Sequence, residues 1–237
     1  CPLVPVSNID LPQTALYTDG LARQVAQELH IPVYLYEANA TADKRKNLAF
    51  IRHGEYESLP QKLKTLPPDY GPRRYTSSTA RTGASVIGAR NFLIAFNISL
   101  NTQDVAPAKE IAAKLRAAFT EWYNNGHTNE TDPNTGWYMK DYKCAQVSFN
   151  ITDFHQSNLQ DVFEACRQQA QSHGLTVTGS ELIGLVPQEA LLKAGKFYAP
   201  TQENQDALIA AAVEHLLLNK IRPFVTSERI LEKCLSK

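Results

Sequence analysis

The stretch from residue 91 to residue 187 constrains the fold more than any other part of the chain. FLIAF (92–96) is an unbroken apolar run, the pattern of a strand covered on both faces. Residues 104–122 then place Ala108, Ile111, Ala112, Leu115, Phe119 and Trp122 on one face at helical spacing. A polar, turn-rich excursion from Asn124 to Thr135 leads to GWYMK (136–140), a short candidate strand. CAQVSFNI (144–151) alternates strictly, with Ala145, Val147, Phe149 and Ile151 on one side and Gln146, Ser148 and Asn150 on the other. Ser157, with Gln160 three residues later, reads as a capping box. The helix it opens has Leu159, Val162, Phe163, Cys166 and Ala170 as its apolar face, and Gly174 stands where a C-terminal cap belongs. LTVTGSELIGLVP (175–187) supplies one or two further strands. Strand, helix, strand, strand, helix, strand is the order of a ferredoxin-like unit, whose helices cover one face of an antiparallel sheet.

The residues before this stretch repeat only part of that order. Residues 2–6 read as a partial strand, and a helix is predicted from Leu11 to Leu29, with Ala22, Val25, Ala26 and Leu29 on one face and Pro12 in its first turn. PVYLY (32–36) is a buried strand, and short helices fit around 42–52 and 55–66. PPDYGPRRYTSSTARTGASVIGAR (67–90) mixes Pro, Gly, Ser, Thr and Arg without a sustained period, and is expected to be a long loop joining the two halves. Strand, helix, strand makes the first half an incomplete copy of the second. The opening CPLVPV, with no initiating methionine, adds the expectation that the chain is part of something longer. Helices are predicted for the remainder, one carrying Ala207, Leu208, Ala211, Ala212, His215 and Leu216 on a face and one opened by Ser227.

Composition narrows the function. No apolar run approaches the roughly 18 to 20 residues of a membrane span. Cysteines at 1, 144, 166 and 234 have neither zinc-site nor disulfide-framework spacing, so free thiols and a cytoplasmic setting are expected. Net charge is zero, and no aromatic-basic motif favours nucleic acid. Yet residues 44–90 hold ten basic residues (Lys44, Arg45, Lys46, Arg52, Lys62, Lys64, Arg73, Arg74, Arg81 and Arg90) against the acidic Glu55, Glu57 and Asp69. That excess is either a solvated face or a surface for an anionic ligand.

CPLVPV (1–6), IPVYLYEANA (31–40), IRHGEYESLPQKL (51–63), PDYGP (68–72), GARNFLIAFNISL (88–100), QVSFNITDF (146–154) and GSELIGLVPQEALL (179–192) together resemble the glutamate formiminotransferase family. The resemblance implies an α/β (α+β) fold of two ferredoxin-like subdomains with packed sheets, the first incomplete here. Residues 1–90 would be the remainder of the N-terminal subdomain and 91–237 the C-terminal one. It implies transfer of the formimidoyl group from N-formimidoyl-L-glutamate to tetrahydrofolate as cosubstrate, with no metal. It also implies that the family's folate stretch corresponds to Gly71, Pro72, Arg73, Arg74, Tyr75, Thr76, Ser77, Ser78, Thr79, Ala80, Arg81, Thr82 and Gly83. Arginine forks suit folate carboxylates, glycine lets backbone N–H groups approach, and Tyr75 offers a ring for stacking.

In the family a histidine in a His-Pro-Arg stretch precedes the Cys-Pro block and serves as acid/base. It has no counterpart here, so the resemblance predicts a catalytically impaired part of the enzyme and no catalytic residue in this chain. His30, His127, His173 and His215 read as structural or solvated; His53 and His155 lie near family-like blocks without an assigned role. A non-catalytic folate- or polyanion-binding module is the alternative. The uncovered edge of the first sheet predicts a homodimer.

Overall fold

The computed structural model describes residues 1–6, 9–123 and 136–235, with the backbone alone for 116–123. The excursion expected at 124–135, with His127, and the side chains of Phe119 and Trp122 lie outside the described residues. The chain divides into two compact units, one centred on Cys1–Asn91 and the other on Phe92–Trp122 with the residues from 136 onward.

The first unit runs β1 (Pro2–Leu3), α1 (Leu11–Leu29), β2 (Val33–Leu35), α2 (Leu48–Arg52), α3 (Leu59–Thr65), α4 (Ser77–Thr82) and β3 (Ser85–Ala89). Asp10 caps α1, accepting from the Gln13 N–H at 2.8 Å, while the Gln13 side chain accepts from the Asp10 N–H. His30 closes the helix in the left-handed conformation. Ala22 and Ala26 of α1 pack with Val33, Leu35 and Ile87 on one side of the sheet, while Tyr34 and Tyr36 pack with Ile51 in a second cluster. β2 is therefore buried on both faces, as its continuous apolar run requires.

The stretch 67–90 is not the long loop expected from its composition. It holds α4 and then β3, the central strand of a three-stranded parallel sheet ordered β1-β3-β2. Two features hide them. The cap of α4 is a Thr76–Thr79 pair rather than the usual Ser/Thr with Glu/Gln. In β3, Gly88 interrupts the alternation because a Cβ there would lie 2.3 Å from the Tyr36 carbonyl oxygen.

An ion pair organises the rest of this unit. Arg45 meets Asp69 at 2.7 Å, each side chain only 10% exposed. Asp69 also accepts from the Leu35 N–H (2.8 Å) and the Thr41 hydroxyl (2.7 Å), and Arg45 donates to the Pro67 carbonyl (2.7 Å). The guanidinium lies 5.8 Å from the centre of the Tyr34 ring, whose hydroxyl donates to the Leu66 carbonyl. Burial pushes that phenol up to about 12, against the opposing pull of Arg45.

The second unit has β4 (Ile94–Leu100), α5 (Val105–Tyr123), β5 (Gly136–Met139), β6 (Cys144–Ile151), α6 (Leu159–Ser172) and β7 (Val177–Ile183). All pairings are antiparallel and the order is β5-β6-β4-β7, the ferredoxin-like arrangement. Ile94, Phe96, Ile98 and Leu100 share the core with Ala108, Ile111, Ala112 and Leu115 of α5 and with the predicted face of α6. The N-cap of α6 is Asn158, not Ser157: the Asp161 carboxylate accepts from the Asn158 N–H at 2.8 Å. Either start leaves the same apolar face inward, so the core pattern does not separate them.

Helices α7 (Gln188–Tyr198) and α8 (Gln205–His215) follow and meet at Gly195, where a Cβ would strike the Leu208 carbonyl oxygen at 2.1 Å. The terminal helix expected from Ser227 is two short ones, α9 (Thr226–Arg229) and α10 (Leu231–Leu235). Ile230 between them is buried and bridges to Val186.

Asp69→Ala is expected to destabilise the chain by about 3 to 5 kcal/mol, because it strands the Arg45 charge in a buried setting. The check is urea unfolding; a midpoint equal to wild type contradicts the role given to this pair.

Candidate functional site

The family-implied loop starts from a fixed point. Asp69 and Tyr70 both donate their N–H groups to the Val33 carbonyl (3.0 and 3.2 Å), and the Val33 N–H returns a bond to the Tyr70 carbonyl (2.9 Å). The Tyr70 hydroxyl donates to Asp19 of α1 at 2.5 Å, and the Arg23 guanidinium lies 4.7 Å from the centre of the Tyr70 ring. That hydrogen bond, followed by Arg23, holds the Asp19 carboxyl below its ordinary range despite some burial. Gly71 then turns at φ +82°, and a Cβ on it would lie 2.2 Å from the Ile31 carbonyl oxygen, so only glycine fits.

The far end is fixed as well. The Thr76 hydroxyl accepts from the Thr79 N–H (3.3 Å), and the buried Thr79 hydroxyl accepts from the Thr76 N–H (2.7 Å). The Tyr56 hydroxyl donates to the Ala80 carbonyl, and a hydrogen bond with Tyr56 holds the Tyr75 phenol above its ordinary range. Gly83 ends α4 at φ +70°.

Residues 71–83 therefore divide by role. Gly71, Thr76, Thr79, Ala80 and Gly83 shape the loop. Arg73, Arg74, Tyr75, Ser77, Ser78, Arg81 and Thr82 face solvent, and Pro72 is half-buried. Arg73, Arg74 and Arg81 have no ion-pair partner among the described residues.

Other members of the basic excess are already engaged. Arg45 is paired with Asp69, Lys46 with Asp43 (3.0 Å) and Arg52 with Glu55 (3.1 Å). Lys62 donates to the Ile51 carbonyl at 2.7 Å, and burial lowers its pKa. Lys44 and Lys64 remain exposed without an ion-pair partner among the described residues, as do Arg73, Arg74 and Arg81.

Three of the described histidines have ring partners. His155 Nδ1 lies 2.9 Å from Lys193 and the ring packs on Phe154. His173 bridges the Gln169 carbonyl and Glu110, and His215 stacks on Tyr198 at 4.6 Å. His53 is exposed at the end of α2. No cluster of three His, Cys, Asp or Glu residues among the described residues is arranged to hold a metal ion. No described helix is long and apolar enough to cross a membrane.

A polar group on the second sheet was not singled out in the sequence. Gln146 is wholly buried; its amide donates to Ser99 (3.0 Å) and Glu181 (3.2 Å), while its oxygen accepts from the Trp137 indole (3.0 Å). Tyr142 donates to the other oxygen of Glu181 at 3.2 Å. Burial, and next the Glu181 charge, push the Tyr142 phenol up, which keeps it a donor. The strict alternation in CAQVSFNI gave the side of the sheet on which Gln146 stands, but not its partners.

Comparison with known proteins agrees with this architecture. Residues 95–236 match the family described as formiminotransferase domain, and residues 1–90 match the formiminotransferase domain, N-terminal subdomain. The chain is 40% identical to formimidoyltransferase-cyclodeaminase of Mus musculus over 98% of its own length and 43% of that protein. It is 34% identical to glutamate formimidoyltransferase of Streptococcus pyogenes serotype M1, over 86% of its length and 65% of that protein. With glutamate formimidoyltransferase of Thermoplasma acidophilum it shares 35% identity, over 83% and 63%. The chain thus spans less than two thirds of the length of each of these relatives. With both profiles matched in order and a ferredoxin-like unit beneath the longer match, the chain belongs to the formiminotransferase domain family.

Proposed function

We propose that this chain is part of a glutamate formimidoyltransferase, which moves the formimidoyl group from N-formimidoyl-L-glutamate to tetrahydrofolate. Residues 1–90 belong to the N-terminal subdomain and 91–237 to the C-terminal one. The folate nitrogen attacks the amidine carbon, a tetrahedral adduct forms, and glutamate leaves through its amine. The incoming nitrogen loses a proton and the departing amine gains one, so a group titrating near neutrality is needed. We assign that group to none of the histidines of this chain.

The observation that carries the reading is the anchored loop of the first unit. Arg73 and Arg74 are exposed cations without ion-pair partners among the described residues, on backbone held at Gly71 by close approach to Ile31 and at Thr76 by the α4 cap. Bidentate donors presented this way suit the carboxylates of a folate or of its polyglutamate tail. Tyr75 beside them offers a ring for the pterin or benzoyl group.

Two further features of the protein belong to the same proposal. Its four unpaired thiols fit a reducing compartment such as the cytoplasm. It forms a homodimer through the apolar residues that α1 leaves in solvent, Leu16 at 77% and Tyr17 at 70% exposure. Sedimentation equilibrium is expected to give twice the chain mass, and a monomer mass at micromolar concentration removes the dimer.

Arg73→Ala combined with Arg74→Ala is expected to weaken binding of 5-formyltetrahydrofolate by at least about tenfold, since each charge-assisted bond contributes roughly 1.5 to 3 kcal/mol. Thermal stability should stay at the wild-type value, because neither side chain is buried. Calorimetric titration in low and high salt is the measurement. Unchanged affinity of the double variant takes folate away from this loop.

A further inference from the structure

Glu181 on β7 is a half-buried carboxylate held by neutral groups. Its two oxygens accept from Gln146 and from Tyr142, each at 3.2 Å. No Lys, Arg or His nitrogen lies within ion-pair distance of it among the described residues. The nearest cation in its network is Arg222, whose guanidinium lies 5.7 Å from the centre of the Tyr142 ring and acts on the same phenol that donates to Glu181.

The donors around it are locked in one direction. An indole N–H can only donate, so Trp137 fixes the Gln146 oxygen. The Gln146 amide must then point at Ser99 and Glu181, and with the side chain wholly buried and Ser99 2% exposed, neither group can exchange these bonds for water. Across the strand pair, Glu181 stands opposite Asn97, another buried polar residue on the sheet side turned away from the apolar core.

A partly desolvated carboxylate whose direct hydrogen-bond donors are neutral, and which has no ion-pair partner among the described residues, is complementary to a cation from outside the chain. Among the described residues each of its oxygens accepts one hydrogen bond and keeps a further acceptor position. Two free acceptor positions on adjacent oxygens match a planar cation with two parallel N–H groups, the fork that arginine presents to carboxylates. An amidinium has that shape and charge, and on the transferase reading the N-formimidoyl group of the donor substrate is an amidinium at neutral pH.

We propose that Glu181, positioned by Gln146 and Tyr142, is the residue that recognises the amidinium of N-formimidoyl-L-glutamate. The assignment rests on the transferase reading but uses a different unit and different residues from the folate loop. It makes Glu181 a specificity determinant: the pairing selects the one-carbon donor over glutamate derivatives whose nitrogen substituent is neutral.

N-formyl-L-glutamate is the decisive comparison, because it differs only in carrying an oxygen where the donor carries the second nitrogen. Calorimetry on the full chain should show N-formimidoyl-L-glutamate binding at least tenfold more tightly than N-formyl-L-glutamate. In Glu181→Gln, an isosteric change, that preference should vanish while affinity for 5-formyltetrahydrofolate stays at the wild-type value, which also reports that the variant is folded. The same preference in both proteins, or no preference in the wild type, overturns the assignment. A wild-type chain that binds 5-formyltetrahydrofolate but neither glutamate derivative overturns it while sparing the folate site; one that binds none of the three overturns the transferase reading with it.

Discussion

A buried carboxylate decides where the first unit presents its basic loop. Asp69 has given up most of its water, and an ionised carboxyl in that position must be matched by a cation and by hydrogen bonds. Arg45 supplies the cation, while the Leu35 N–H and the Thr41 hydroxyl supply further donors. One of those donors belongs to β2, so satisfying Asp69 ties the chain at residue 69 to the sheet. Gly71 follows directly, too close to Ile31 for any side chain, and the exposed arginines come next. The loop's position is thus a consequence of charge compensation in the core, and its arginines Arg73 and Arg74 are left exposed.

The second unit achieves its order by separating apolar and polar residues across one sheet. The even-numbered residues of β4 (Ile94, Phe96, Ile98 and Leu100) join α5 and α6 in a continuous core. The intervening Asn97 and Ser99 share the other side with Gln146 and Glu181, their partners across the strand pairs. Burying such groups is tolerable only when their hydrogen bonds are made, and for Ser99, Gln146 and Glu181 the Trp137–Gln146–Glu181–Tyr142 chain makes them. A fully apolar residue at 146 would pack more simply. A glutamine fixed in a single orientation instead presents Glu181 in a single geometry.

Periodicity carried most of the fold. Helix α1 runs over the residues its spacing predicts, and the βαββαβ order of the second unit was visible in its alternating and 3–4 spaced apolar positions. What escaped was short or masked by special residues. β3 is a five-residue strand that runs through Gly88, whose missing side chain, required by the approach of the Tyr36 carbonyl, interrupts the alternation. The α6 cap moved by one residue because Gln160 and Asp161 both stand near the helix start, and only the backbone decides between them.

The site was legible unevenly. Resemblance pointed to residues 71–83 as a candidate folate stretch, and the structure sorts them into residues that shape the loop and residues that face solvent. Sequence alone does not make that division, because Thr76 and Thr79 look like ligand donors until their hydroxyls are seen capping α4. Nor does charge counting separate Arg45, consumed in the core, from Arg73 and Arg74 on the surface. Glu181 was hidden for the opposite reason: a single acid in an apolar strand has no motif, and its meaning comes from partners distant in sequence.

The account turns on the loop at 71–83 being where folate is held. Hydrogen–deuterium exchange of the full chain, with and without 5-formyltetrahydrofolate, examines that without any substitution. Slower exchange on ligand addition in the peptides spanning residues 71–83 is the result predicted. Ligand-induced protection confined to other segments, with these peptides exchanging at their ligand-free rate, would contradict it.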